Sequence, residues 1–112
     1  EFYLTSDGRW AVSANLQNQI QVWDVERGVC LRTLEGHTDW ITGLSLTPDG
    51  RRAASASKDR TLRVWDLETG ACVPVAAVPE RVLALALAGG GDHLCAGTLT
   101  GEVLFYDVGD LA

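Results

Sequence analysis

The chain has 112 residues, of which nine are Lys or Arg and fifteen are Asp or Glu, so its formal net charge is −6 at neutral pH. Because proteins that bind nucleic acids usually present a basic face, this charge argues against nucleic acid as a partner. The sequence has no apolar run of about 18 residues and no signal-peptide pattern, which argues against a membrane-spanning helix and against secretion.

Strands are predicted along the whole chain, and no segment has the pattern of an amphipathic helix. In chain order the predicted strands cover residues 2–5, 10–15, 20–23 and 29–34, then 41–47, 52–57, 61–65 and 71–77, and finally 82–88, 94–98 and 103–106. Residues 82–88, VLALALA, could form a buried helix segment on periodicity alone. Their register with 41–47 and the Gly89-Gly90-Gly91 that follows favour a strand, so the predicted fold class is all-β.

A period in the low forties runs through the sequence. Trp23-Asp24 recurs one period later as Trp65-Asp66, and Tyr106-Asp107 follows at the next recurrence. The turn sequences Ser6-Asp7-Gly8, Pro48-Asp49-Gly50 and Gly89-Gly90-Gly91 keep the same spacing, as do Cys30 and Cys72. A fixed period of this length indicates an array of supersecondary units, none of which can bury both of its faces alone.

The middle unit, residues 36–66, carries Gly-His at its start, then Pro-Asp-Gly, Ser-x-Ser-x-Asp and finally Val-Trp-Asp. In this order the motifs resemble the WD40-repeat family, in which each repeat forms a four-stranded antiparallel blade of a β-propeller. The resemblance implies a first blade at residues 1–34, a second at 35–77 and a degenerate third at 78–112 that lacks its fourth strand. Since propellers close with about four to eight blades, these two and three-quarter blades are expected to be a fragment of a larger propeller or a chain that must associate.

The resemblance also implies a structural hydrogen-bonded chain through His37, Ser55, Asp59 and Trp65, with Ser57 as an alternative to Ser55. An indole N–H buried between sheets needs an acceptor, which the serine hydroxyl supplies. The first and third repeats depart from the pattern. The first retains Ser13 and Trp23 but has Gln17 in place of the turn aspartate, and in the third Ala96, Thr100 and Tyr106 occupy the later positions. Those two blades are expected to depend on apolar packing.

Catalysis and metal binding are the alternatives to a structural role. Ser55, His37 and Asp59 could form a nucleophile–base–acid trio, but Ser55 would be bonded to Trp65 and buried, and nothing nearby suggests an oxyanion hole. His93 and Cys95 could bind a metal with a distant cysteine, but no second ligand pair has suitable spacing. We therefore expect no enzyme activity, no metal and no cofactor.

The three cysteines show no CxxC spacing and are predicted to be small buried apolar residues in a reducing compartment, so a cytoplasmic location is expected.

Function is expected at the loop-bearing rim of the blades. Propellers of this family usually bind other proteins there, which on this chain implicates Trp40 above all, together with Lys58, Thr38, Asp39, Leu16, Arg81 and Leu99. An aromatic residue at a loop mouth is typical of an interface anchor, although Trp40 could instead fold over the end of its blade as a lid.

The sequence thus predicts a non-catalytic protein–protein interaction scaffold, and it does not choose between settings such as a ubiquitin-ligase adaptor or a trafficking complex. The alternative is a purely structural segment that completes a larger propeller, for example in the sensor domain of a multidomain signalling ATPase, and has no partner site of its own. Protein partners are expected in the first case, and further blades or self-association in either case, with no nucleic acid or membrane.

Overall fold

The computed structural model describes residues 2–4, 9–47, 50–78, 81–88 and 92–108, which contain eleven strands and no helix. The strands are β1 (Phe2–Leu4), β2 (Trp10–Ala14), β3 (Ile20–Asp24), β4 (Val29–Leu34), β5 (Ile41–Leu46), β6 (Arg52–Ser57), β7 (Thr61–Asp66), β8 (Cys72–Ala77), β9 (Val82–Ala88), β10 (His93–Thr98) and β11 (Val103–Asp107). Most predicted strand ends agree to within one residue. The predicted turns at 6–8, 48–49 and 89–91 and the segment after residue 108 lie outside the described residues.

The strands form three antiparallel sheets in which neighbours along the chain are neighbours in the sheet. The first has the order β1-β2-β3-β4, the second β5-β6-β7-β8 and the third β9-β10-β11. Residues 82–88 are a strand that pairs with β10, not a helix. The predicted all-β fold of four-stranded antiparallel blades is confirmed, and the described part of the last blade has three strands.

The tight turns repeat with the same period as the sequence. Asn18, Arg60 and Gly101 occupy equivalent hairpin turns between the second and third strands, and all three have positive φ (66°, 68° and 92°). In each turn, the backbone N–H of this residue donates to the carbonyl three positions earlier. Positive φ is readily accepted by glycine and is tolerated by asparagine, as at Asn18.

The sheets pack face to face through two apolar cores. The core between the first and second sheets contains buried residues of both, namely Val12, Ile20, Val22, Leu34, Leu44, Ala53, Trp65 and Leu67. The core between the second and third sheets contains Ala54, Ala56, Leu62, Val64, Val78, Val82, Leu94, Ala96 and Val108. Strand β6 is covered on both faces, and its Ala and Ser side chains are small enough to let the first and third sheets approach it closely.

Hydrogen bonds also link the first strands of successive sheets. The Thr42 hydroxyl donates to the carbonyl of Val82 at 3.2 Å, and the backbone N–H of Leu87 donates to the Ser45 hydroxyl at 3.0 Å. These two bonds join β5 to β9, so the second and third sheets are held together at their first strands. The period of the sequence did not reveal these cross-links, because they depend on side chains that point out of the sheets.

The prediction that all three cysteines are buried is wrong. All are free thiols, with Cys30 exposed and Cys72 and Cys95 half-buried. Cys30 lies on β4, which pairs on one side only within the described sheet. Cys95 lies on the face of β10 that points away from the second sheet, and no described sheet covers that face.

Candidate functional site

Four side chains of the middle repeat form a continuous hydrogen-bonded chain. The indole N–H of Trp65 donates to Ser55 Oγ at 2.8 Å, and His37 Nε2 lies 2.6 Å from the same oxygen. The other ring nitrogen, Nδ1, lies 2.9 Å from Asp59 Oδ2. The structure therefore brings together His37, Ser55, Asp59 and Trp65 and ties the loop before β5 to strands β6 and β7. It places Ser55 in this chain, whereas Ser57 donates to the carbonyl of Asp39.

The bonding pattern is complete when His37 is neutral with its proton on Nδ1. In that tautomer Nδ1–H donates to the Asp59 carboxylate, and Nε2 accepts the hydroxyl proton of Ser55, whose oxygen accepts from Trp65. A second proton on Nε2 would leave two donors facing the Ser55 oxygen and would leave the hydroxyl proton without this acceptor. Because buried polar groups are normally paired, the packing favours the neutral ring.

Burial agrees with this assignment. Desolvation lowers the pKa of His37 below 6.5, and it outweighs the hydrogen bond and the charge of Asp59, which raise the pKa. For Asp59, burial alone would raise the pKa, but hydrogen bonds from the Thr61 hydroxyl, the Thr38 backbone and His37 lower it to about 2. Near neutral pH the pair is therefore a neutral imidazole and a carboxylate.

These shifts predict a stability that falls in acid. Between the lowered pKa of folded His37 and 6.5 the unfolded chain binds more protons, so the free energy of unfolding falls as the pH drops below 6.5. A second loss is expected as the pH falls from about 4 towards 2, where Asp59 is protonated in the unfolded chain first.

Urea unfolding midpoints at pH 7.5, 6, 5 and 3 would measure both losses. His37→Gln should remove the first, while His93→Gln, at an exposed position, should keep it; an unchanged profile in His37→Gln would contradict the assignment.

Two further residues support the four hydrogen-bonded side chains, and the sequence analysis missed both. Thr61 donates its backbone N–H to Asp59 Oδ1 at 2.9 Å, and its hydroxyl also bonds that carboxylate. Gly36 lies against the indole of Trp65, where an added Cβ would be 2.9 Å from ring atom Cη2. The glycine of the Gly-His pair is thus required by close packing. The position of Thr61, two positions after the turn aspartate, was a signal available in the sequence.

The first sheet keeps part of the same hydrogen-bonding arrangement. The indole N–H of Trp23 donates to Ser13 Oγ at 3.0 Å, and these residues stand one repeat before Trp65 and Ser55. The first blade thus keeps this bond, at the two positions where its sequence retains the pattern, beside the apolar packing expected of it. Trp23 is only half-buried, however, whereas Trp65 is 1% exposed.

The predicted rim residues lie at one end of the sheets, on the loops that enter the first strand and on the hairpins between the second and third strands. The backbone N–H of Lys58 donates to the Trp40 carbonyl at 2.8 Å, and that of Leu99 donates to the Arg81 carbonyl at 2.9 Å. These equivalent bonds hold the two loops of the second sheet together and likewise those of the third. Leu16 projects from the matching hairpin of the first sheet and is 87% exposed.

Trp40 is fixed through its backbone while its ring stays accessible. Its N–H donates to the Asp39 carboxylate at 2.7 Å, and the Lys58 ammonium lies 4.4 Å from the ring centroid in a cation–π contact. The side chain is 55% exposed, so it does not act as a closed lid over the blade. Thr38, Asp39 and Lys58 around it are also exposed, although the Thr38 N–H is bonded to Asp59.

One wall of an open cleft is formed by Trp40. The cleft has a volume of about 580 Å³ and lies between the β2–β3 hairpin of the first sheet and the entry to β5. Its lining residues are Ala14, Asn15, Leu16, Gln17, Trp40 and Ile41. Apolar side chains provide most of the walls, and Asn15 and Gln17 add hydrogen-bonding groups. The sequence pointed to Leu16 and Trp40 separately, but only the structure shows that two blades bring them together.

A second cleft, of about 470 Å³, lies at the opposite end of the same two sheets. Its lining residues are Trp10, Val22, Leu31, Arg32, Gly50, Arg51, Leu67 and Glu68. Here the polar groups bond within the chain: the Arg32 guanidinium donates to the carbonyls of Leu67 and Glu68, and Arg51 pairs with the Glu68 carboxylate at 3.1 Å. The polar groups of this cleft therefore mainly hold the first and second sheets together.

Comparison with known proteins agrees with the geometry. A family model for the WD40 repeat, described as "WD domain, G-beta repeat", matches residues 28–66. This segment is a WD40 repeat. The resemblance of residues 36–66 to the WD40 family is thereby confirmed, and WD40 propellers are generally non-catalytic scaffolds for protein interactions.

Relatives of this WD40 repeat include the nuclear distribution protein PAC1 of Arthroderma otae, 47% identical over 36 residues, and that of Fusarium vanettenii, 43% identical over 38 residues. The matches cover 32% and 34% of this chain, and the chain spans only 8% of the length of either relative. Among solved structures, the β-propeller domain of Cps50 (Swd1) from Myceliophteria thermophila matches 96% of this chain and 34% of its own, with a TM-score of 0.82 and 23% identity. That likeness shows the propeller fold.

Two observations concern a metal site and the serine trio among the described residues. No three His, Cys, Asp or Glu side chains among them are grouped closely enough to bind a metal ion. Ser55 Oγ is fully buried and already accepts from Trp65, so a substrate has no route to it in this conformation. Within the same residues there is no helix of the length and apolar character needed to cross a membrane.

Proposed function

We propose that this chain binds a partner protein at the rim of its first two blades, through the cleft beside Trp40. The observation that carries the proposal is the exposed indole of Trp40, whose backbone is hydrogen-bonded at both its N–H and its carbonyl and which lines an apolar cleft together with the exposed Leu16. Because the backbone at Trp40 is already hydrogen-bonded, binding there costs little backbone freedom, and an exposed aromatic ring is typical of interface anchors.

The partner is expected to insert an apolar side chain between Trp40 and Leu16. The Gln17 side chain can then bond its backbone, whereas the Asn15 side chain is already bonded within the hairpin, to Gln17 and Gln19. The cation of Lys58 favours a carboxylate nearby. Such a site recognises and holds a protein and needs no chemistry, so a non-catalytic scaffold is the function that this geometry supports. A reducing compartment such as the cytoplasm suits the three free thiols.

Trp40→Ala is expected to weaken partner binding by about 30-fold or more, which corresponds to the loss of about 2 kcal/mol typical of a hot-spot residue. The test is recovery of partners from an extract of the source cells on immobilised chain, followed by titration of the recovered partner. Lys58→Ala should have a smaller effect in the same direction. The melting temperature should barely change, since the Trp40 ring is exposed and its backbone bonds remain.

Val29→Ala is the matched control, because Val29 is 44% exposed on β4, outside the cleft. It should bind as the unaltered chain does. If Trp40→Ala instead lowers the melting temperature strongly and loses no partner, the chain is a structural segment of a larger propeller and the proposal is wrong.

A further inference from the structure

The rim of the second and third blades carries three exposed cations, Lys58, Arg60 and Arg81, which we call the cationic rim. Lys58 and Arg60 lie on the β6–β7 hairpin, and Arg81 lies on the loop before β9. No carboxylate of the described residues forms an ion pair with any of the three. Arginines at the opposite end of the sheets do pair with carboxylates, as Arg9–Glu26, Arg27–Asp24 and Arg51–Glu68. The cationic rim is therefore available to the carboxylates of a partner.

Backbone hydrogen bonds join the cationic rim to the cleft beside Trp40. The N–H of Val78 donates to the Arg60 carbonyl at 2.8 Å, and the N–H of Leu99 donates to the Arg81 carbonyl at 2.9 Å. The loop before β9 is thus attached to a hairpin of the second sheet and to a hairpin of the third. Since the cationic rim also contacts the Trp40 ring, one surface continues from the cleft to the third blade.

The exposure of this surface comes from its place at the end of the sheets. Arg81 stands one repeat after Trp40, and Leu99 stands one repeat after Lys58. Trp40 and Lys58 belong to the second sheet, which packs against a sheet on each face, and both are exposed all the same. A neighbouring sheet therefore leaves these repeat positions accessible.

The exposed carboxylates on the described rim loops do not neutralise the cationic rim. Asp39 accepts the backbone N–H of Trp40 at 2.7 Å, and Glu35 accepts a side-chain N–H of Gln19 at 2.7 Å. Glu102 follows the third hairpin and forms no ion pair with the three cations. Although the whole chain has a net charge of −6, exposed charges are screened beyond about 8 Å at physiological ionic strength. The cations nearest a bound segment therefore decide which charge it carries.

We propose that the partner segment bound at the rim is acidic. One of its apolar side chains fills the cleft beside Trp40, and its carboxylates lie against the cationic rim on the way to the third blade. This partner chemistry rests on the proposed function of the cleft and adds the charge and the path of the segment. Apolar contact supplies most of the affinity, while complementary charge mainly selects the partner. Leu99, which is 63% exposed at the far end of this path, offers a second apolar contact.

Selection of peptides on the immobilised chain tests this chemistry. The probe is a library of random peptides of about twelve residues, which extend over roughly 40 Å. The recovered peptides should combine a large apolar residue with several Asp or Glu residues and few Lys or Arg residues. The peptide that binds most tightly is then synthesised and titrated by fluorescence anisotropy.

Arg60→Gln and Arg81→Gln should each weaken binding of that peptide by about threefold, and the double variant by about tenfold, as for the loss of exposed ion pairs. Raising the NaCl concentration from about 0.05 to about 0.5 M should weaken binding to the unaltered chain more than binding to the double variant, because salt screens exposed charges. Arg27→Gln is the matched control, since it removes the same charge from an exposed arginine at the opposite end. It should bind the peptide as the unaltered chain does.

Neutral or basic peptides that bind the unaltered chain and not Trp40→Ala would overturn the acidic segment and leave the proposed function standing. Recovery of no peptide, or of acidic peptides that bind Trp40→Ala equally well, would contradict both. Polyglutamate or a single-stranded oligonucleotide that binds as tightly as the selected peptide would also overturn the acidic segment, because attraction of any anion would then explain the binding.

Discussion

Replacing Trp65 with alanine is expected to lower the free energy of unfolding by about 3–5 kcal/mol, the usual range for a buried tryptophan. Trp65 is 1% exposed and belongs to the core between the first and second sheets. The change would open a cavity there and would also remove the N–H that donates to Ser55. Both losses act on the second blade, where the apolar core and the hydrogen-bonded chain meet. Chemical denaturation followed by circular dichroism measures the difference.

Two further variants separate those contributions. Trp65→Phe retains most of the apolar contact and loses the N–H, so it should cost about 1–2 kcal/mol, the usual effect of removing one buried hydrogen-bond partner. Trp23→Ala removes the equivalent residue of the first sheet, which is half-buried, and should cost clearly less than Trp65→Ala. Equal losses at Trp23 and Trp65 would contradict the account of the blade core given above.

Leu62→Ala is expected to destabilise the chain by about 2–5 kcal/mol, as for other fully buried leucines. Leu62 has no exposed surface and lies in the core that joins the second and third sheets, so its truncation leaves a cavity between two packed faces. Since each sheet is stabilised by its neighbours, this loss should weaken both sheets. The measurement is the urea midpoint and slope at low micromolar concentration.

Val103→Ala is the matched control, because Val103 occupies the same repeat position in the third sheet and is 56% exposed. In dilute solution it should cost under about 1 kcal/mol, as is usual for surface substitutions. A loss at Val103 as large as that at Leu62 would mean that the two faces are equally buried in a single copy, contrary to the structure.

The strands could be predicted well from the sequence because two independent signals agreed on them. Alternation in β3 and β7 indicated the strand period, and the recurrence in the low forties showed which segments are equivalent. For residues 82–88, periodicity alone was compatible with a helix, and the recurrence favoured a strand. The turn chemistry of asparagine also made the positive φ at Asn18 predictable.

Features that depend on packing between sheets could not be predicted in this way. The burial of Cys30 was predicted wrongly because an apolar residue on an outer strand has no partner on one side, which a strand pattern does not show. The cleft beside Trp40 depends on the separation of two sheets, and the bonds from β5 to β9 depend on side-chain directions. The hydrogen-bonded chain from His37 to Trp65 was therefore predictable, whereas the cleft formed by rim residues of two sheets was not.

The protonation state of His37 is the most direct test of the hydrogen-bonded chain, and it can be read from a long-range proton–nitrogen correlation spectrum of protein labelled with nitrogen-15. We predict a neutral ring at pH 7 with its proton on Nδ1, which donates to Asp59, and a pKa below 6.5. A proton on Nε2, or a charged ring at pH 7, would contradict the chain of bonds from Trp65 to Asp59 that fixes the second blade and its rim.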